Sequence, residues 1–238
     1  MKWHYESVSK TLLDVLRMLQ AEESLADFRL VGGTALSLQR GHRRSIDIDL
    51  FTDLPYGKMP TKRISAFLQE AFPIHKEIES LQEEAIGYHV WVGDGIEPPI
   101  KVDLFYADDF IFPCKEADGL RMADEREIAA MKLQAIAGPI KRQKDYWDIH
   151  ELLQAYSLTE MIEWCLLRHP YTLTEEDIIA GLLQIDSVEE SPEGIDSLHI
   201  LDYWELKVLD LKEATNALSQ MNKSKGNDKT KPSSSSGQ

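Results

Sequence analysis

Only two cysteines, Cys114 and Cys165, occur in the 238 residues, and they form no CxxC pair. That leaves no disulfide framework; the pair fits buried thiols in a reducing cytoplasm. Long apolar runs are also missing. The longest stretch without a formal charge is the ten residues 30–39, about half of the roughly 20 that a membrane-spanning helix needs, so no membrane span is expected. Glu6, Lys10, Asp14 and Arg17 interrupt the first turns of the chain, which leaves no apolar signal-peptide segment. Bases are scarce as well. Lysine and arginine total 26 against 41 acids, a net charge of −15, which weighs against a protein that coats DNA through clustered Lys and Arg. No GxxxxGK[ST] or GxGxxG segment is present, so neither a P-loop nor a dinucleotide fingerprint accounts for the glycines that do occur.

What remains is an ordinary globular composition, 43% apolar and 28% charged, with two kinds of periodicity. Residues 6–25 place Val8, Leu12, Val15, Leu16 and Leu19 at helical spacing. Phe28 to Val31 reads as a short strand broken by Gly32-Gly33, with a helix beginning near Thr34. Residues 46–51 alternate with period two, a half-buried strand, and residues 74–79, 85–92 and 100–106 are further strands around a helix at 61–72. After about Pro113 the strands are expected to stop. Helices are predicted over 125–137, 145–156, 159–169, 174–185 and 201–221. The expectation is an α+β core over 1–115, a mixed sheet with flanking helices. An α-helical part follows over 116–221, then a Lys/Ser/Gly/Pro-rich disordered tail over 222–238. Segment 174–213 holds twelve acids and two lysines, a solvated or partner-facing surface.

Chemistry concentrates at a few positions. Asp47 and Asp49 lie two apart on a predicted strand, so their carboxylates share a face with Cα atoms roughly 6.5–7 Å apart, while Ile46, Ile48 and Leu50 are expected to face the core. Two acids held that close suit a Mg²⁺ ion; a plain solvent face is the simpler alternative. Gly32, Gly33 and Thr34, at a strand-to-helix turn thirteen residues earlier, could cradle phosphate. Asp103, inside an apolar strand, needs a cation or hydrogen-bond partners and is the candidate third carboxylate of a two-metal clamp. Lys132 sits on a helix face with Ile128, Ala129, Ala135 and Ile136, and must either snorkel outward or point into a polar site. Lys141, Arg142 and Lys144 precede Asp145 and Asp148, acids that a helix dipole favours. Arg40, His42, Arg43 and Arg44 form a second basic patch before the acidic strand.

Gly32-Gly33-Thr34-Ala35-Leu36 followed by Gly41-His42-Arg43-Arg44-Ser45-Ile46-Asp47-Ile48-Asp49-Leu50-Phe51 resembles the signature of the AbiEii/AbiGii nucleotidyltransferase toxin family. Lys132-Leu133, then Arg142-Gln143-Lys144-Asp145-Tyr146-Trp147-Asp148-Ile149, is similar to that family's second motif, so the resemblance spans roughly residues 25–155. It implies a polymerase-β-like fold. Gly32, Gly33, Thr34, Arg43, Ser45, Lys132 and Asp148 would contact the nucleotide; Asp47, Asp49 and Asp103 would hold two Mg²⁺ ions; Lys132 and Asp145 would complete the catalytic set. The implied activity is transfer of a nucleotide from an NTP to an acceptor hydroxyl, by resemblance that of tRNA, in a cytoplasmic toxin with a basic antitoxin partner. A catalytically silent binding module on the same fold and a metal-dependent phosphodiesterase are the alternatives.

Overall fold

The computed structural model describes residues 3–77, 86–188, 195–199 and 203–228. Helix α1 (Lys10–Ala21) starts where the Ser9 side chain accepts from the Leu12 amide and buries Leu12, Val15, Leu16 and Leu19 along one stripe. A two-residue strand β1 (Arg29–Leu30) then leads into α2 (Gly32–Arg40), which Gly41 ends at a left-handed φ of 67°. Strand β2 (Ile48–Thr52) precedes α3 (Thr61–Ala71), β3 (Ile74–Glu77), β4 (Gly87–Gly93) and β5 (Ile100–Tyr106).

Two short strands follow, β6 (Lys115–Ala117) and β7 (Leu120–Met122), joined by a turn in which Asp118 and Gly119 both have positive φ, 53° and 78°. The sheet therefore continues to Met122, past the point where strands were expected to stop. Its order is β3-β4-β5-β2-β1-β7-β6. β2 runs parallel to β5 and β1 parallel to β7, and the other neighbours are antiparallel. This is the mixed sheet that was expected.

The helical part comprises α4 (Glu125–Ala137), α5 (Gln143–Leu152), α6 (Leu158–Arg168), α7 (Glu175–Leu183) and α8 (Trp204–Asp228). Ser157 and Thr174 open α6 and α7 with reciprocal capping boxes. α8 reaches Asp228, seven residues into the segment read as a tail; residues 229–238 lie outside the described residues. One contiguous apolar core runs from Leu30, Ile48 and Leu104 in the sheet to Ile128, Leu133, Met161 and Ile178 in the helices, so sheet and helices bury each other. Arg168 of α6 pins the connection after β5, donating to the Asp108 and Asp109 carbonyls and to buried Glu127. Glu127 in turn accepts from the amides of Ile111 and Phe112.

Candidate active site

Period-two burial along β2 puts Ile48 and Leu50 in the core and Asp49 on the opposite face. Ile46 differs from expectation. It is 63% exposed, because the strand begins only at Ile48 and leaves Ile46 and Asp47 in the preceding loop. Parallel pairing sets Asp49 directly beside Asp103 of β5, and antiparallel pairing sets Asp103 beside His89 of β4. The His89 Nδ1 lies 2.7 Å from one Asp103 oxygen, and the Lys101 ammonium donates to the other at 2.7 Å. Asp103 thus has the partners that an acid in an apolar strand requires. Burial, then the nearby Asp103 carboxylate, pushes the Asp49 carboxyl up to about 6, with Asp47 adding to the rise and Lys132 opposing it.

The glycines have a steric role as well. Gly32 has a φ of 67°, and a Cβ there would strike the Asp49 carboxylate; a Cβ on Gly33 would strike the Arg43 guanidinium. The glycines make room for two side chains of the site. Thr34 is buried and also committed: its hydroxyl donates to the Asp47 carbonyl and lies 2.7 Å from the Ser45 hydroxyl. It shapes the loop that carries Asp47.

Behind the carboxylates lies a buried charge network. Lys132 does not snorkel. Its ammonium sits 2.7 Å from both Asp145 and Asp148. Arg43 grips Asp148 through Nε and Nη2, at 2.7 and 2.9 Å, and His42 Nε2 lies 2.8 Å from the same carboxylate. Arg142 closes on Asp145 at 2.8 Å. Burial alone would raise the Asp148 carboxyl, but Arg43 and Lys132 outweigh it and hold that group well below the usual range. Burial likewise works against the Lys132 ammonium, and Asp145 and Asp148 outweigh it and raise it. His42 goes the other way: burial lowers it more than Asp148 restores, leaving a neutral ring that donates from Nε2.

A scan against family models matches residues 14–196 to the nucleotidyl transferase AbiEii toxin family of type IV toxin–antitoxin systems. The chain belongs to the AbiEii nucleotidyltransferase family. It is an enzyme of the transferase class by that membership. An uncharacterised protein of Aquifex aeolicus is 30% identical over 194 residues, 75% of this chain and 82% of that one. Among solved structures, a protein from H. pylori described as a nucleotidyltransferase superposes with a TM-score of 0.52 at 16% identity, covering 88% of this chain and 92% of that one. At that identity the likeness speaks for the fold.

In this AbiEii member the motif residues divide into two layers. Asp49 and Asp103 lie on the sheet with Asp47 in the loop before β2; Arg43, Lys132, Asp145 and Asp148 form the buried network behind them. Asp145 and Asp148 are therefore ion-paired inside the protein, with Asp145 in the first turn of α5. Lys141 is not at the site, because its ammonium caps the Ile136 and Gly138 carbonyls at the end of α4. Arg44 pairs with Asp196, and Lys144 stands 3.9 Å from Asp47. His89, Lys101 and the pairing role of His42 were not foreseen. Alternation of Tyr88-His89-Val90-Trp91-Val92 carried the signal for His89, since it places His89 and Trp91 on the face opposite the core.

The donor set of Asp47, Asp49 and Asp103 is hard oxygen and anionic, and Asp49 and Asp103 stand side by side on adjacent strands. That chemistry fits Mg²⁺. As the side chains stand, no three His, Cys, Asp or Glu groups among the described residues converge in a metal-holding arrangement, and Asp103 is bonded to His89 and Lys101. No helix among the described residues is long and apolar enough to cross a membrane.

Proposed function

We propose that the protein transfers a nucleotide from an NTP to a hydroxyl of RNA, by family analogy the acceptor end of tRNA, in a Mg²⁺-dependent reaction. It would act in the cytoplasm as the toxin of a toxin–antitoxin or phage-defence pair, with a basic antitoxin protein as partner. The observation that carries this reading is the side-by-side placement of Asp49 and Asp103 on parallel strands, with the glycine turn of α2 closed against Asp49.

Asp47, Asp49 and Asp103 would hold the Mg²⁺. When bound, it would lower the acceptor hydroxyl's pKa and neutralise charge on the leaving pyrophosphate. The acceptor oxygen forms a bond to the α-phosphorus as the bond to the bridging oxygen of pyrophosphate breaks. The first turn of α2 has no side chain capping its amides, which leaves them suited to phosphate oxygens. Half-exposed Lys144 stands 3.9 Å from Asp47, and half-exposed Arg142 pairs with Asp145. Lys132, Asp145, Asp148 and Arg43 hold the Gly33 turn and the Asp47 loop in register.

The test is incubation with total tRNA, Mg²⁺ and each labelled NTP in turn, beside Asp47→Ala and Lys132→Ala. Label appearing in RNA with wild type and vanishing with Asp47→Ala supports the proposal. Wild type as inert as the mutant towards RNA, protein and small acceptors would point to a silent module, and RNA shortening without incorporation to a phosphodiesterase.

A further inference from the structure

The bases that cluster around the acidic strand and the start of α5 are mostly engaged with other groups of the protein. Arg43 is buried on Asp148, Lys141 caps a helix, and Arg44 and Arg142 are paired with acids. A different surface adjoins the carboxylates. Along β2, β4 and β5 one face is core: Ile48, Leu50, Val90, Val92, Val102 and Leu104 are fully buried. The opposite face presents half-buried side chains: His89 and Trp91 on β4, Lys101, Asp103 and Phe105 on β5, Asp49 and Phe51 on β2.

Register makes these a continuous array. Lys76 of β3 faces Trp91, Trp91 faces Lys101, His89 faces Asp103, and Phe105 faces Phe51. The Phe105 ring lies 5.0 Å from His89 and 5.9 Å from Phe51, and it rests over Gly87, where a Cβ would collide with it. Rings and lysines thus run across neighbouring strands towards Asp49. From β4 to β2 is two strand spacings, roughly 10 Å.

We propose that this open sheet face is the docking platform for the single-stranded 3′ end of the RNA acceptor. Its bases stack on Trp91 and the His89–Phe105 pair, its phosphates meet exposed Lys76, and Lys101 comes within reach of them once a metal takes its place on Asp103. Its terminal hydroxyl is thereby led to Asp49 and Asp103. The inference rests on the RNA-directed reading above and assigns where that acceptor lies. Base stacking on sheet aromatics with flanking bases is how single strands are held without sequence preference. An RNA end is favoured over a protein partner because the face contains the carboxylates that an acceptor hydroxyl must reach. A protein covering them would desolvate the Asp49 and Asp103 carboxylates side by side.

The experiment uses the full chain and a short 5′-labelled single-stranded RNA, read by fluorescence anisotropy, with nucleotide transfer measured on the same RNA. Trp91→Ala weakens binding by about tenfold or more, as loss of one stacked base predicts, while Trp91→Phe retains most of the affinity. The exposed Lys76→Glu weakens binding and lowers the salt slope by about 0.7 or more, which tests the platform even if Trp91→Ala fails to fold. A blunt duplex of the same sequence binds weakly and responds to neither substitution. If wild type labels RNA and both variants bind and label as wild type does, the platform is overturned while the RNA-directed reading stands. If wild type neither binds nor labels any RNA, that reading falls and takes the platform with it.

Discussion

Arg43 and Asp148, 105 residues apart, meet in a two-point ion pair with Nε–Oδ1 at 2.7 Å and Nη2–Oδ2 at 2.9 Å. The pair ties the loop before the acidic strand to α5, and Lys132 and His42 share the same carboxylate. All four side chains are withdrawn from water, so each charge depends on its partners.

Asp148→Ala leaves the Arg43 and Lys132 charges buried without their common acceptor. The expected cost is about 3–5 kcal/mol in urea unfolding at pH 7. The sign of the pH dependence follows from the depressed carboxyl. Its contribution is fully present above the ordinary unfolded value near 3.9. It is lost as pH falls through the much lower folded value. The gap between wild type and Asp148→Asn therefore persists to about pH 4 and narrows below it.

Asp49→Asn moves the other way. With its folded carboxyl at about 6, the native protein holds that proton more tightly than the unfolded chain does. The penalty grows as pH rises from about 4 to 6 and is complete above. Asn at this position removes the penalty, so the variant is more stable by about 2 kcal/mol at pH 7.5 and little changed at pH 4. It is expected to be inactive. Thermal melts at the two pH values check the stability change, and a lower Tm for Asp49→Asn at pH 7.5 would contradict it.

Lys101→Met releases one Asp103 oxygen. If Asp103 is a Mg²⁺ ligand, the metal no longer competes with an ammonium for it. Half-maximal thermal stabilisation by MgCl₂ then moves to a several-fold lower concentration. A midpoint unchanged from wild type would remove Asp103 from the ligand set.

Gly32→Ala combines a left-handed φ with collision against Asp49. A loss of about 1–3 kcal/mol and of transfer activity is expected. Gly57→Ala is the control: its φ of 79° is equally left-handed, but a Cβ there meets nothing within 4 Å. Equal losses in the two variants would remove the steric role of Asp49.

Local signals were legible in the sequence and long-range ones were not. The helix expected at 125–137 has those bounds in the structure because Asp124 caps it and Gly138 ends it. The strand at 100–106 is likewise as expected. The β6–β7 hairpin escaped because three-residue strands are too short to show a period. Its Asp118-Gly119 turn was the available sign. Asp103 could be singled out by its apolar neighbours, but Lys101 and His89 become its partners only through strand register. Lys132 in an apolar stripe had two possible destinations, and the choice depended on α5 folding back across α4. Lys141 shows the same limit, since no pattern tells where a long side chain ends.

The reach from Arg43 to Asp148 also sets an order of events during synthesis. Gly32, Asp47, Asp49 and Asp103 leave the ribosome well before α5, whose carboxylates draw Arg43 and Lys132 into place. A growing chain that has not yet delivered Asp148 lacks the anchor for its own acidic loop. Truncation before Asp148 therefore removes the common acceptor of two buried cations, Arg43 and Lys132.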